Sequence, residues 1–363
     1  MKNWANGQRA STTKRSIQRV TTVPVLRDYL PQDNSAALAL EARCVQGSKF
    51  SLSFWRPYFH RRAEGFAEWR MLTAWKGDEL VAIGGGAIKP VNWSGKQVNA
   101  LYLFDFRVDP GERRSGIART LALALEEWAQ PRAEIGYAYA VGDNEAIAKM
   151  AERWLGAASS PACAYLVYPT YKAEAQPGSI EATTALENHA RYVERMGDFG
   201  FYGNPTEAFC SDALIGSWRC SGSGEAGCSV WSNADILSEV IAKLPLALRI
   251  AGPVLGSPLL KRFALPHVPR IGERLRSWYV FDFHADNLES ARQLIDSIAV
   301  RARVAGIDYC YVIHSRRQQD MIAQLRKSFP AAFAPIVPFS VMAKTLARTP
   351  LPIDTPYIDI RDM

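Results

Sequence analysis

The sequence LYLFDFRVDPGERRSGIARTLALALEE, residues 101–127, decides the fold because it predicts a strand, a glycine-containing loop and a helix in direct succession. Side chains alternate with a period of two through residues 101–108, which indicates a mostly buried strand. The Asp-Pro-Gly at 109–111 ends that strand. From Ile117 onward, apolar residues recur at spacings of three and four, so a helix is predicted to begin at about Gly116.

The alternation assigns the strand's side chains to two faces. A strict period of two puts four residues on one face: Leu101, Leu103, Asp105 and Arg107. The opposite face then carries four others: Tyr102, Phe104, Phe106 and Val108. Asp105 is therefore expected to be a carboxylate inside an apolar strand, where burial raises the pKa of such a group.

The junction between the strand and the helix has the chemistry of an anion site. A helix start leaves backbone N–H groups unpaired and carries roughly half a positive charge. Gly116 and Ala118 lack bulk, so an anion can approach the main chain closely. Arg113, Arg114 and Arg119 add cations around the same point. The junction therefore favours a phosphate group.

The strand ending in Val108, one spacer, Pro110 and then Arg-x-x-Gly-x-Ala resembles the pyrophosphate loop of the GNAT superfamily of acyl-CoA-dependent N-acyltransferases. Neither the G-x-x-x-x-G-K-[ST] loop nor a G-x-G-x-x-G loop fits this stretch. The chain further resembles the plant HOOKLESS-type probable N-acetyltransferases and their bacterial relatives. That resemblance is carried by RVDPGERRSGIARTLALALEEW, GDNEAIAKMAERWLG and YPTYK, and it continues through SVWS at 229–232, the Leu-Pro-rich stretch to Pro269 and the final YIDIRDM.

The GNAT resemblance implies an acetyl-CoA (acyl-CoA) co-substrate and no metal. The pantetheine arm is expected between the separated ends of the strands at 101–108 and 135–141, paired with backbone groups of that first strand. The implied cofactor residues are Phe106, Arg107, Val108, Arg113, Arg114, Ser115, Gly116, Ile117, Ala118, Arg119 and Asn144. Asn144 has a second interpretation as a helix N-cap.

Acyl transfer to an amine requires a neutral amine, a polarised carbonyl and a thiolate that can leave. The candidates for catalytic residues are Asp105, Tyr102 and Glu68. A structural role stays open for Asp105 and Tyr102, because Asp282 and Tyr279 have the matching places in the second half, and a solvated surface role stays open for Glu68. The family often has a tyrosine proton donor seven residues after the helix asparagine, but position 151 is Ala. Either another tyrosine serves (Tyr137, Tyr139 or Tyr165), or none is needed because a thiol with a pKa of about 8.5 leaves readily.

A sequence of 363 residues is long enough for two domains. The net charge of +7 is concentrated near the start, where five basic residues and no acidic residue precede Val23. We interpret residues 1–22 as a disordered basic tail and expect no nucleic-acid partner. The six cysteines have neither C-x-x-C nor zinc-ligand spacing, which indicates free thiols in the cytoplasm, and the run 244–260 is too interrupted to span a membrane.

Residues 23–172 are predicted to form a mixed, mainly antiparallel α/β unit. The predicted strands are 23–29, 71–75, 80–88, 98–108, 135–141 and 162–168. The predicted helices are 36–42, a stretch containing Phe54, Tyr58 and Phe59, the helix after Gly116, and 144–155. A linker is expected at 173–185.

The remaining residues, 186–363, repeat part of this pattern. YVFDF at 279–283 matches YLFDF at 102–106, and helix, strand and helix patterns follow both. Where the first copy has its arginine-rich loop, the second has HADNLE at 284–289, whose acids suit helix capping and not phosphate binding. The sequence thus predicts tandem GNAT-like domains, the second without the pyrophosphate loop, which work as a monomer or as a dimer.

Two functions remain open from the sequence. In the first, the protein is an N-acetyltransferase acting on a small-molecule or peptide amine. In the second, it binds coenzyme A as a regulatory or scaffolding protein with decayed catalysis.

Overall fold

A computed structural model describes residues 23–47, 50–141, 151–152, 156–171, 173–174, 180–197, 199–255, 267–330, 333–353 and 355–363. Over these residues the protein has a mixed α/β fold in which helices flank a large, mostly antiparallel sheet. The predicted fold class is confirmed. The predicted basic tail and Asn144 lie outside the described residues.

The first half of the chain, up to residue 171, contains eight described strands and two described α-helices. The strands are β1 Val25–Asp28, β2 Gln46–Gly47, β3 Ser51–Trp55, β4 Glu68–Lys76, β5 Glu79–Trp93, β6 Lys96–Val108, β7 Ile135–Val141 and β8 Ala158–Pro169. The helices are α1 Asn34–Arg43 and α2 Ile117–Ala129, with 3-10 turns at Pro31–Asp33, Phe59–Gly65 and Pro110–Glu112.

The second half, from residue 173, again contains eight described strands. They are β9 Ile180–Thr183, β10 Phe201–Gly203, β11 Leu214–Ser221, β12 Glu225–Trp231, β13 Ser238–Lys243, β14 Ser277–Ala285, β15 Tyr309–His314 and β16 Ile336–Thr345. Its helices are α3 Ala185–Met196, α4 Thr206–Phe209, α5 Leu246–Leu255, α6 Leu288–Val304 and α7 Gln319–Arg326, with 3-10 turns at Arg316–Gln318 and Ile360–Asp362.

Most of these strands form one sheet in the order β1-β4-β5-β6-β7-β16-β8-β15-β14-β12-β11-β9, and β10 adds to β5. The order has a symmetric arrangement about its centre, because β7 pairs with β16 of the other half and β15 pairs with β8. Two strand pairs in the described sheet are parallel, β6 with β7 and β14 with β15. Each half therefore contributes its last strand to the edge of the other half.

Strand β6 contains a β-bulge at Asp105. The φ angle of Asp105 is 53°, and the pairing with β5 shifts register between Ile83 and Gly85. Asp282 in β14 has a φ of 49°, and the pairing of β14 with β12 shifts between Gly227 and Ser229. The two halves thus have the same irregularity at matching positions of the sequence repeat.

The bulge reverses the alternation of side chains beyond it, because the extra residue turns the following ones to the other face. Tyr102 and Phe104 belong to one core cluster. Leu103, Phe106 and Val108 pack together in another cluster with α2 residues. The strict period of two was therefore wrong after Asp105, and Phe106 and Val108 lie on the same face as Leu103.

The predicted helix around Phe54 and Tyr58 was also wrong in its first part. Ser51–Trp55 is strand β3, which pairs with β13 of the second half, and only Phe59–Gly65 is helical, as a 3-10 turn. The short sequence SLSFW is apolar enough to suit either structure, so a pairing partner almost 190 residues away decides the outcome.

Candidate functional site

Strands β6 and β7 separate partway along their length. Their parallel pairing joins Ala100–Tyr102 to Ile135–Tyr137, and in the described residues it goes no further. Beyond that point β7 continues to pair with β16 on its other edge. The later residues of β6 and β7 therefore border an opening, which we call the β6–β7 wedge, with Tyr102 and Tyr137 at its closed end.

The loop from β6 to α2 has an open helix start at the mouth of this wedge. Gly116 is the N-cap residue, with a φ of 89°, and no side chain caps the helix there. Arg114 also has a positive φ, 68°. Arg113, Arg114, Ser115 and Arg119 are exposed, whereas Ile117 is buried beneath the helix start. The first-turn N–H groups of α2, including that of Ala118, have the arrangement that binds an anion.

The residues just before the loop contribute differently from what the sequence predicts. The Arg107 guanidinium turns inward and lies 3.0 Å from Glu41 Oε1, with 9% of its side chain exposed. Its Nη1 donates to the Phe106 carbonyl at 3.1 Å, and the Val108 carbonyl accepts from Cys44 Sγ at 3.3 Å. Because the neighbouring Asp109 N–H bonds to Val81 in β5, the Val108 N–H points toward the wedge.

Asp105 lies at the centre of a buried ion network. Its carboxylate accepts from Arg56 at 2.6 Å and lies 3.5 Å from Arg62 Nη1. Burial raises the pKa of Asp105, but Arg56, Arg62 and Arg107 together outweigh burial and hold that pKa well below its usual value. The predicted rise in the pKa of Asp105 is therefore wrong, because the sequence pattern did not indicate the arginines that surround it.

Tyr102 bonds to the end of the chain. Its hydroxyl donates to the Asp362 carbonyl at 2.9 Å and accepts from Arg62 Nη2 at 2.9 Å. Burial raises the pKa of Tyr102 far above its usual value, so this hydroxyl stays protonated near neutral pH. Tyr102 can therefore donate a hydrogen bond at the closed end of the wedge but cannot serve there as a base.

Segment 355–363 brings two further carboxylates to the same place. Lys89 Nζ lies 2.6 Å from Asp362 Oδ1 and 2.9 Å from Asp359 Oδ2, and all three side chains are buried. Tyr137 donates its hydroxyl to Asp362 Oδ2 at 2.9 Å. Burial and the neighbouring Asp359 raise the pKa of Asp362, although Lys89 opposes them. Of the two carboxylates, Asp362 is therefore the one whose pKa is shifted upward, in the direction that favours a proton acceptor.

The other predicted catalytic residue, Glu68, is separate from this cluster. It begins β4 with 44% of its side chain exposed and pairs with Arg132. Of the alternative tyrosines, Tyr137 lies in the cluster, the Tyr139 hydroxyl reaches the Tyr357 carbonyl at 3.5 Å, and Tyr165 stacks on Tyr311 of the second half.

The sequence pattern did not indicate five residues of this cluster: Arg56, Arg62, Lys89, Asp359 and Asp362. The final YIDIRDM offered a signal, since two acidic residues lie among apolar ones there. No local pattern could have indicated that they meet Lys89, because about 270 residues separate them.

A cavity of about 350 Å³ adjoins this cluster on the side of the second half. Arg62 and Met363 line it close to Tyr102, and Phe66 and Trp231 form part of its apolar wall. Glu64 and Glu207 lie at its rim. The cavity thus borders the cluster through Arg62 and Met363, whereas Tyr102, Tyr137 and Asp362 are buried behind its lining.

Residues 37–157 match the acetyltransferase (GNAT) family model. This range is one third of the chain and contains the wedge strands and the arginine-bordered loop. It therefore places the GNAT signature where the open helix start lies. No curated protein sequence matches the chain significantly.

Solved structures resemble the chain well beyond the range that the family model matches. N-myristoyltransferase from Saccharomyces cerevisiae with bound myristoyl-CoA has a TM-score of 0.57 at 12% identity, covering 89% of this chain and 80% of that one. A structure of the same enzyme with myristoyl-CoA and inhibitors has a TM-score of 0.54 at 11% identity, over 94% and 85%. At such low identities the likeness concerns the fold alone, and the chain shares the fold of these structures over most of its length.

The described residues contain no cluster of His, Cys, Asp and Glu that could hold a metal ion. None of their helices combines the length and the apolar character that crossing a membrane requires. All six cysteines are free, and of these Cys210 is exposed.

Proposed function

We propose that the protein is an N-acyltransferase that moves an acetyl group from acetyl-CoA to a primary amine of a small molecule or a peptide. The observation that carries this proposal is the open N-terminus of α2 beside the β6–β7 wedge. The pyrophosphate binds the N–H groups of Gly116, Ile117 and Ala118, with the exposed arginines around it. The pantetheine arm then follows the wedge toward Tyr102.

We place the amine in the 350 Å³ cavity, from which it passes Arg62 and Met363 to meet the thioester at the closed end of the wedge. Asp362 takes the proton-accepting role that the sequence suggested for Asp105, because its pKa is raised whereas that of Asp105 is lowered. The N–H of Val108 binds the arm, and the Tyr102 hydroxyl stays protonated and positions Asp362. Asp105 and Arg107 hold the first-half network together.

The donor is an acyl-CoA, and the length of its acyl chain is tested separately. The fold neighbour from yeast was solved with myristoyl-CoA. A donor panel from acetyl-CoA to myristoyl-CoA therefore belongs in the test, and acetyl-CoA is our proposed donor.

One observation favours the alternative, a coenzyme A-binding regulatory or scaffolding protein. Asp105, the carboxylate within the strand that borders the wedge, is fully engaged by arginines, so catalysis depends on Asp362, which Lys89 and Tyr137 already engage. If Asp362 cannot reach the amine, binding without turnover is the result.

The test is thiol release from each acyl-CoA with a panel of simple amines, peptides and aminoglycosides, paired with calorimetric binding of the same donors. Turnover with any acceptor supports the enzyme and excludes the scaffold. Binding of acetyl-CoA without thiol release from any combination supports the scaffold. Absence of binding to every donor contradicts both.

We also propose a domain organisation, a cellular location and an oligomeric state. We propose a basic tail at 1–22, a catalytic GNAT domain at 23–172, a linker at 173–185 and a GNAT-like domain without the pyrophosphate loop at 186–363. Within this linker, Ile180–Thr183 forms β9 and pairs with β11 of the second half. The symmetric strand order supports the repeat. A HOOKLESS-type relationship, a cytoplasmic location and a monomeric rather than dimeric state complete the proposal.

A further inference from the structure

Asp282, in the half without an arginine-rich loop, has buried partners of its own. Its Oδ1 accepts from the Tyr357 hydroxyl at 2.9 Å, and its Oδ2 lies 2.7 Å from His189 Nδ1. A carboxylate only accepts, so His189 Nδ1 donates, and its Nε2 accepts from the Tyr202 hydroxyl. A buried carboxylate needs such partners, and here one of them belongs to segment 355–363.

Tyr357 is fixed on several sides. It is 3% exposed, and its N–H donates to the Phe201 carbonyl at 2.8 Å. Its ring packs on Tyr202 with centroids 4.8 Å apart, and it meets His189 edge-on at 5.4 Å. The start of segment 355–363 is therefore anchored in the second half of the chain.

The end of the same segment is anchored in the first half. Two residues after Tyr357, Asp359 pairs with Lys89, and Asp362 bonds to Lys89 and Tyr137. The carbonyl of Arg361 accepts from Arg62, which also contacts Asp105. Residues 357–362 thus connect Asp282 of one half to the closed end of the wedge in the other.

We propose that Asp282 and Tyr357 are positioning residues for acyl transfer: by holding the start of segment 355–363, they set the place of Asp362 at the wedge. This inference rests on the proposed function and deepens it, because it gives the second half a task in the reaction. Neither side chain contacts the donor. Their loss should affect the chemical step and leave donor binding alone.

The test compares two variants that each remove one buried hydroxyl from a tyrosine–aspartate hydrogen bond. Tyr357→Phe breaks the bond to Asp282. The matched control is Tyr168→Phe, because the Tyr168 hydroxyl donates to Asp296 at 2.6 Å on the other face of the second half, away from segment 355–363. Both variants keep the ring, so both are expected to fold.

We expect Tyr357→Phe to lower kcat about tenfold with the KM for the acyl-CoA unchanged, and Tyr168→Phe to change neither. Hydrogen exchange of the amides at 359–362 should become at least about threefold faster in Tyr357→Phe and stay unchanged in Tyr168→Phe. Asp282→Asn retains an oxygen that can accept from Tyr357, so its kcat should lie between those of wild type and Tyr357→Phe.

The exchange measurement keeps this inference separate from the proposed function. If no amine is acylated by the wild-type protein, the proposed function fails, and faster exchange at 359–362 in Tyr357→Phe still supports the anchoring of the segment. Unchanged exchange in that variant overturns the inference. So does an equal fall in kcat for Tyr357→Phe and Tyr168→Phe, since that result would reflect stability alone.

Discussion

Helices α2 and α6 follow corresponding strands of the two halves, yet their first turns are built for different purposes. Helix α2 begins at Gly116 with a φ of 89° and without a side-chain cap. Helix α6 begins at Asn287, whose side chain accepts from the Ser290 N–H at 2.9 Å. A helix start whose N–H groups are already bonded has less to offer an anion. The contrast separates a helix start suited to binding from one suited to stability.

The strands before these helices differ in the same sense. In the second half the Phe283 carbonyl, which matches Phe106, accepts from the buried Gln318 side chain at 2.6 Å. The Gln318 side chain thus occupies the space beside the end of β14. Asp286 is also engaged there, with its Oδ2 accepting from the Glu225 N–H at 2.7 Å. In the first half the matching Phe106 carbonyl accepts instead from its chain neighbour Arg107 at 3.1 Å, and not from a side chain of a distant element.

Substitution of the two bulge aspartates, Asp105 and Asp282, should lower the free energy of unfolding by clearly different amounts. Asp105→Asn leaves Arg56, Arg62 and Arg107 buried without their shared carboxylate, which should cost about 3–5 kcal/mol of unfolding free energy. Asp282→Asn weakens hydrogen bonds to His189 and Tyr357 and should cost about 1–3 kcal/mol. Urea unfolding measures both. Equal losses would show that the arginine network does not distinguish the halves.

The pH dependence of stability also distinguishes Asp105. The folded pKa of Asp105 is held below its unfolded value by the arginines, despite burial. Its stabilising contribution is therefore fully present above the unfolded pKa of about 3.9 and is lost as the pH falls through the lower folded value. Asp105→Asn should have a flatter stability profile than wild type below about pH 4, measured by urea unfolding at each pH. A profile parallel to that of wild type would contradict the assignment.

Gly116→Glu tests whether the start of α2 is the site that binds the donor's pyrophosphate. A side chain at Gly116 meets open space, but it brings a negative charge to the place of the pyrophosphate. Calorimetry should show at least about a hundredfold weaker acetyl-CoA binding, which corresponds to about 2.7 kcal/mol. Gly116→Asn is the matched control, because Asn tolerates a positive φ and adds no charge. Equal affinities of Gly116→Glu and wild type would mean that the donor binds elsewhere.

The sequence predicted the local structure well wherever the signal was local. The period of two in β6, the glycine at the start of α2 and the YLFDF–YVFDF repeat each lie within a few consecutive residues, and the corresponding strands and helix start are present. The bulge at Asp105 escaped prediction because a single extra residue leaves no mark on composition. The pairing of β3 with β13 and the return of Asp362 to Lys89 escaped because both join distant parts of the chain.

The pKa of Asp105 shows why site residues are harder to predict than strands. Burial alone predicts a raised pKa, and burial is what an apolar strand pattern indicates. The direction reverses because Arg56 and Arg62 come from a different segment and reach the carboxylate from across the core. Without the partners' positions, the sign of the shift could not be obtained from the sequence.

The smallest expected effect concerns the capped helix start. Asn287→Ala removes the side chain that accepts from Ser290 and should lower the unfolding free energy by about 1 kcal/mol, with acetyl-CoA affinity unchanged. Asn287→Gly should lower the unfolding free energy by only about a few tenths of a kcal/mol, because glycine is itself an acceptable cap residue. Thermal unfolding and calorimetry on both variants measure the two quantities. A loss of donor affinity in Asn287→Ala would place the anion at α6 and reverse the comparison between the halves.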